Sequence, residues 1–334
     1  MQLRALRIHQ VGSGSAGHSV RAELESMSVD ALTPGEVLIR VQYSSINYKD
    51  ALAATGAGKI LRRYPLNGGV DLAGVVVESV DPAYTPGQSV LVTGCGLSET
   101  LDGGYAEYAR VPSAAVIPIP AGLDALAVMT LGTAGFTAAL AIHRMEQNGL
   151  TPPQGEVAVT GATGGVGSVV IDMLSSSGYR VCAITGKEAE RDYLQQLGAQ
   201  QILLRSELQL GQGALEPARF AGAVDNLGGE WLSWLLRSTQ LMGSVASIGM
   251  AAGSQLQTSV MPFILRGVNL LGITSSNTPR ALRERVWQRI ATDLKPAHLE
   301  LMRTRIVELA ELPTVFADYL KGQTRGRTVV RIEP

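Results

Sequence analysis

The chain has 334 residues, of which 46% are hydrophobic and 17% charged, and its formal net charge is -1. That length is too great for one ordinary core and predicts two domains of globular composition. The near-zero charge excludes a protein that grips nucleic acid through a broad basic face, and two cysteines with four histidines exclude a disulfide framework and leave a poor supply of zinc ligands.

The first residues, Met1-Gln2-Leu3-Arg4-Ala5, lack the apolar core of a signal peptide. Gly, Pro or charge interrupts the apolar stretches before the ~20 residues that a membrane span needs. The expected location is therefore the cytoplasm, with no membrane partner. Residues 35–41, 75–80, 89–92 and 105–111 alternate as strands do, with turn signals at Asp81-Pro82 and Pro86-Gly87 between them. They predict an all-β, barrel-like unit over residues 1–124 with few helices. At residue 124 the pattern changes. Helical spacing over 124–144 leads into strands at 156–160, 180–185, 201–204, 222–226 and 244–249, with helices at 166–176, 189–197 and 231–241. Alternating strands and helices predict an α/β domain over 125–298, a doubly wound parallel sheet covered by helices. From 299 to 334 the chain returns to the early style, with a helix at 312–321 and a closing strand at 326–332.

The strand 156–160 runs directly into Gly161-Ala162-Thr163-Gly164-Gly165-Val166-Gly167, and a helix follows. Glycines let the backbone turn sharply and approach a pyrophosphate, and the free N–H groups of the helix N-terminus hold the phosphates. In this strand–turn–helix setting the turn predicts a dinucleotide site. An NAD site places Asp or Glu at the end of the next strand, for the ribose 2′-hydroxyl. This chain has Thr185-Gly186-Lys187 there, and Arg205 follows the third strand. The missing acid and the available cations favour NADP(H). Lys187 and Arg205 also have a plainer reading, as solvated surface cations.

The β-rich start, the glycine turn and the returning tail resemble the medium-chain dehydrogenase/reductase superfamily. Residues 45–52 (SINYKDAL), 69–76 (GVDLAGVV) and 131–138 (LGTAGFTA) resemble its zinc-free, quinone-oxidoreductase-like branch, and 260–268 (VMPFILRGV) and 326–330 (GRTVV) resemble the acrylyl-CoA reductase group, AcuI/YhdH. The resemblance implies a GroES-like catalytic domain over 1–124, a Rossmann NADP-binding domain over 125–298 and a C-terminal return to the catalytic domain. It implies NADPH as cofactor, a homodimer, and reduction of acryloyl-CoA to propanoyl-CoA. Where zinc-dependent relatives carry Cys and His-Glu ligands, this chain reads Asn47-Tyr48 and Val70-Asp71, so no metal is expected.

The resemblance assigns Tyr48 and Asn47 to substrate and nicotinamide positioning, with Tyr48 also touching the cofactor. It assigns Thr163, Gly164, Gly165 and Val166 to the pyrophosphate, and Met250, Ile264 and Ser275 to the rest of the cofactor site. Asn277 departs from the group's pattern and receives no role. Asn47 and Tyr48 equally suit a loop that they merely shape, Ile264 equally suits a core, and Lys49 and Asp50 could pair with each other. Lys59, Arg62 and Arg63 offer either cations for the phosphates of a CoA ester or a solvated basic loop. Cys95 and Cys182 read as small apolar residues, and His9, His18, His143 and His298 lack ligand spacing. The open alternatives to an acyl-CoA or enone reductase are an NADPH:quinone oxidoreductase and a non-catalytic NADPH sensor.

Overall fold

The computed structural model describes residues 1–14 and 17–332, with the side chains of 13–18 left out. In chain order it opens with the hairpin β1 (Gln2–Gly14) and β2 (Gly17–Ser28). Then come β3 (Val37–Ser45), α1 (Tyr48–Thr55), β4 (Leu66–Asn67), β5 (Asp71–Ser79), β6 (Ser89–Thr93), β7 (Tyr108–Val111) and β8 (Ile117–Pro118). The middle holds α2 (Ala125–Gln147), β9 (Glu156–Thr160), α3 (Gly165–Ser176), β10 (Arg180–Thr185), α4 (Arg191–Gln196), β11 (Gln201–Leu204), β12 (Phe220–Asp225), α5 (Gly229–Ser238), β13 (Thr239–Ser247), α6 (Met261–Arg266) and β14 (Asn269–Gly272). The chain closes with α7 (Arg280–Ala291), α8 (Leu299–Met302), β15 (Arg303–Glu308), α9 (Leu312–Leu320) and β16 (Arg327–Arg331).

By contact the chain divides into two units. The first takes residues 1–133, 276–285 and 303 onward; the second takes 134–275 and 286–302. In the first unit a mixed sheet runs β15-β16-β3-β5-β6-β8 with β7 added on β3, and β2-β1-β4 form a second sheet. Its main core gathers Leu6, Ile8, Ile39, Leu72, Val92, Tyr105 and Phe316. Leu3 and Ala5, on the opposite face of β1, fill a smaller cluster. β1 is thus buried on both faces, so its sequence does not alternate cleanly between apolar and polar.

The second unit is a six-stranded parallel sheet in the order β11-β10-β9-β12-β13-β14. That is the Rossmann order, in which the chain reverses direction across the sheet between β9 and β12. The strands are buried on both faces and read as apolar runs, as parallel strands do. Trp231, Trp234 and Phe220 pack edge to face on one side, at 5.7 and 6.3 Å between ring centroids.

Two elements differ from the sequence expectation. The helix expected over 231–241 ends at Ser238, and residues 239–247 form one long strand. Thr239 donates its hydroxyl to the Leu235 carbonyl at 2.7 Å, which closes the helix end. The helix expected over 124–144 is α2, and its backbone breaks at Gly132 (φ 52°, ψ -152°). α2 is long and apolar enough to cross a membrane, yet most of it is buried in the protein.

Candidate functional site

In the second unit all six strands point their C-terminal ends to one edge, and the loops there carry most of the expected cofactor residues. β9 leads into the glycine turn, where Gly161 has φ +59° and a Cβ on Gly167 would collide with the Gly161 carbonyl. Only glycine permits that approach. No side chain caps α3, so the N–H groups of its first turn carry no side-chain partner at the positive end of the helix dipole. This cradle fits a pyrophosphate.

β10 ends at Thr185 beside Leu204 of β11, which brings Thr185, Gly186, Lys187 and Arg205 together. Thr185 Oγ1 accepts from the Lys187 backbone N–H at 3.0 Å. The Arg205 guanidinium lies directly over Gly186, where a Cβ would run into it, and 5.9 Å from the Trp231 ring. A cation is therefore mounted against the strand end where an NAD site would hold a carboxylate. On the neighbouring strand Asp225 is fully buried; it accepts from Thr160 Oγ1 (2.7 Å), Gly228 N (2.8 Å) and Leu227 N (3.2 Å). Burial pushes its carboxyl up, and these donors pull it back. Asn226 donates to the Thr160 carbonyl at 2.7 Å and locks the same corner. The sequence reading missed this pair; its only signal was an acid at the end of an apolar strand. Met250 is exposed in the loop after β13, and Ser275 lies past the end of β14. Ile264 stands apart: it is exposed on α6, whose Arg266 donates to the Arg237 and Thr239 carbonyls at the opposite end of β13.

In the first unit Tyr48 is the first residue of α1 and is 52% exposed. Beneath it lies a buried polar network. Asp71 Oδ2 accepts from Ser45 Oγ (2.6 Å), Asn47 Nδ2 (2.7 Å) and Thr133 N (2.8 Å), and Asp71 Oδ1 accepts from Thr133 Oγ1 (2.6 Å). Arg327, 2% exposed, donates to Asn47 Oδ1 (3.2 Å), Ser45 Oγ (2.9 Å) and the carbonyls of Ile46 (3.1 Å) and Thr130 (2.9 Å). Asp50 accepts from Asn47 N (2.8 Å), Asn47 Nδ2 (3.3 Å) and Val70 N (2.9 Å). Burial and then the Asp71 charge push the Asp50 carboxyl up to about 7, against the pull of these N–H donors.

The network explains the Gly132 break. A Cβ there would lie 2.5 Å from Asp71 Oδ2 and 2.6 Å from Ser45 Oγ, so the chain bends and aims the Thr133 N–H at Asp71. It also corrects two expectations. Asn47 spends both amide hydrogens on Asp71 and Asp50 and its oxygen on Arg327, so it positions α1 and leaves Tyr48 as the outward-facing polar group. Lys49 and Asp50 do not pair: neighbours on a helix face different ways, Asp50 turns inward, and Lys49 forms an ion pair with Glu99. Asp50, Asp71 and Arg327 were not among the expected site residues, although all three stand inside the family-like segments 45–52, 69–76 and 326–330.

The remaining titratable residues lie elsewhere. His9 pairs with Glu25 and His298 with buried Asp172, each at 2.6 Å, and His143 lies 3.2 Å from Arg289. The His18 side chain is outside the described residues. Cys182 is buried and Cys95 half-buried; burial pushes both thiols up, Cys182 to about 12.

Residues 33–121 match the family model of the alcohol dehydrogenase GroES-like domain, and residues 165–292 match that of the zinc-binding dehydrogenases. The putative quinone oxidoreductase YhfP of Bacillus subtilis is 46% identical over 94% of this chain and 95% of its own. Its structure with NAD bound superposes with a TM-score of 0.95, covering 99% of each chain. The acrylyl-CoA reductase AcuI of Ruegeria pomeroyi is also 46% identical, over 93% of this chain and 94% of its own. The yhdH oxidoreductase of Salmonella enterica, solved in complex with NADP, gives a TM-score of 0.93 at 42% identity with both chains fully covered. The residues here do not fit the zinc of the second family's name. Among the described residues no group of three or more His, Cys, Asp or Glu could hold a metal ion. Asp50 and Asp71 instead accept from N–H and O–H donors.

Proposed function

The chain belongs to the medium-chain dehydrogenase/reductase superfamily, in the quinone-oxidoreductase-like group of AcuI, YhdH and YhfP, and from that membership we propose that it reduces the activated C=C bond of an α,β-unsaturated acyl thioester, acryloyl-CoA to propanoyl-CoA. The protein is an NADPH-dependent oxidoreductase. NADPH, when bound, supplies the hydride that adds to the carbon β to the thioester carbonyl.

The chain's own residues do the rest. Thr163, Gly164, Gly165 and Val166 receive the pyrophosphate on the first turn of α3. Thr185, Lys187 and Arg205 receive the 2′-phosphate. Met250 and Ser275 flank the nicotinamide end of that edge, while the exposed position of Ile264 on α6 lends it no such support. Tyr48 presents its phenol to the thioester oxygen, where charge builds as the β carbon is reduced, and a donor fixed at that point lowers the barrier. Asn47, held by Asp50, Asp71 and Arg327, keeps α1 and Tyr48 in place. Water protonates the α carbon. The observation that supports this reading most is the exposed Tyr48 above a buried network of hydrogen-bonded side chains.

The test is a substrate panel with NADPH, from acryloyl-CoA through crotonyl-CoA to simple quinones. Acryloyl-CoA should have the highest kcat/KM. Quinones ahead by orders of magnitude would replace the thioester reading with that of the alternative reductase. Binding of NADPH without turnover across the panel would leave the sensor. The proposed protein is a cytoplasmic homodimer. β14 is an outer strand of its sheet, and Leu241 and Met242 on the neighbouring strand β13 are exposed. Such an edge suits pairing across a two-fold axis, and light scattering would give the mass.

A further inference from the structure

We propose that the depression between α1 and the loop at residues 59–62 seats the phosphates of the coenzyme A handle, with Lys59 and Arg62 as the anion-binding side chains. This deepens the thioester reading and rests on it. The depression has a volume of about 500 Å³ and is lined by Lys49, Lys59, Ile60, Leu61, Arg62 and Glu99, all in the first unit. That volume lies within the usual range for small-molecule sites.

The charge balance of this surface favours an anion. Three cations line it against one carboxylate, and that carboxylate, Glu99, is already paired with Lys49. Lys59 and Arg62 are exposed, and neither has an ion pair or side-chain hydrogen bond among the described residues. Arg63 beside them is also exposed. Elsewhere in this unit Arg4, Arg7, Arg21, Arg110, Arg280, Arg305 and Arg331 all have carboxylate partners.

The mount is firm although the cations are free. Leu61 is 1% exposed and pins the loop to the core. Arg62 N donates to the Glu99 carbonyl at 2.8 Å, and Gly58 N to the Leu52 carbonyl at 3.2 Å. Position fits as well. Tyr48 and Lys49 are the first two residues of α1, and Lys49 lines the depression, so a ligand with its thioester on the Tyr48 phenol has to pass around the first turn of α1 to reach it. Ile60 adds an apolar surface for the pantetheine arm. A quinone has no anion to place there, and the phosphates of NADPH are assigned to the second unit.

The experiment compares acryloyl-CoA with acryloyl-N-acetylcysteamine, the same thioester without phosphates. It uses the wild type and the Lys59→Ala/Arg62→Ala variant, both with NADPH. The wild type should favour the CoA ester. In the variant the ratio of the two kcat/KM values should fall by about 10- to 100-fold, mostly through KM, the range expected for charge-assisted contacts. Adenosine 3′,5′-bisphosphate should compete with acryloyl-CoA in the wild type and lose that power in the variant. An unchanged ratio overturns the assignment, as does a wild type indifferent to the handle. Inhibition by inorganic phosphate as strong as by the nucleotide marks a general anion site and also overturns it. If neither thioester turns over, the thioester reading fails, and the subsite is judged alone. Calorimetry with adenosine 3′,5′-bisphosphate at saturating NADP+ must then show binding that the variant lacks.

Discussion

The cofactor assignment turns on one missing methyl group. Gly186 has no side chain, and the Arg205 guanidinium occupies the space where a Cβ would stand. Gly186→Ala should therefore push Arg205 off the strand end. Gly186 is not among the glycines with positive φ, so alanine fits its backbone. The colliding atoms are the far end of a flexible side chain, so the fold should lose well under 1 kcal/mol. The loss falls on the ligand. A hydrogen bond to a charged group contributes roughly 1.5–3 kcal/mol, which is about 10- to 150-fold in Kd. NADPH affinity, followed by fluorescence titration, should drop by that factor while NADH affinity changes less than about threefold. Arg205→Ala should reproduce the effect, and the double variant should add little, because both substitutions remove the same contact. Equal losses for NADPH and NADH would mean that alanine blocks the site as a whole. No loss for either would remove Arg205 from the 2′-phosphate.

Tyr48→Phe should lower kcat for acryloyl-CoA by about 100-fold with KM little changed, the usual cost of one transition-state donor; steady-state kinetics with unchanged kcat would clear the phenol of any role. Gly132→Ala forces a side chain into a left-handed position against Asp71 and Ser45 and should cost about 3 kcal/mol, roughly 4 °C in the calorimetric Tm. The Asp50 carboxyl, raised from 3.8 to about 7, keeps its proton longer in the folded chain than in the unfolded one. Its stabilising effect is complete below the unfolded pKa and is lost as pH rises through about 7. Urea unfolding of the wild type should thus weaken by about 2 kcal/mol between pH 5.5 and 8, a loss absent from Asp50→Asn. Parallel pH curves for the two proteins would contradict the burial argument.

The second unit was legible because its signals are local. A parallel strand buried on both faces is a short apolar run, and the glycine turn needs no distant partner to be recognised. The first unit hid more. β1 is buried on both faces and shows no simple alternation. α7, whose residues 280–285 belong to the first unit and 286–291 to the second, reads as a polar stretch, yet Arg283, Val286, Trp287 and Ile290 recur at helical spacing and are all at most 1% exposed. Arg283 sits there because its guanidinium donates to the Ala114 carbonyl at 3.1 Å and to that of Ala115. The network beneath Tyr48 was the least legible part. Ser45, Asn47, Asp50, Asp71, Thr133 and Arg327 lie up to 282 positions apart, and no window of sequence contains them. Their segments were recognised one by one as family-like, but only the fold joins them.

That network bears on how Tyr48 would be held in the proposed role. A metal fixes its ligands through coordination bonds. Here two buried carboxylates and one buried guanidinium perform the fixing. Each of these groups is buried, so each unmade hydrogen bond would be costly, and the arrangement holds only when nearly every donor meets an acceptor. Asn47 is the joint: its amide touches Asp71, Asp50 and Arg327 together. Loosening any one of the three frees Asn47, and with it the first turn of α1 that carries Tyr48. Removing Arg327 should therefore act on the position of Tyr48 as well as on stability, since Asp71 would lose a cation in contact with its own hydrogen-bond donors Ser45 and Asn47. In the proposed reaction the phenol is thus positioned by side chains of the network beneath it rather than by groups that touch the substrate.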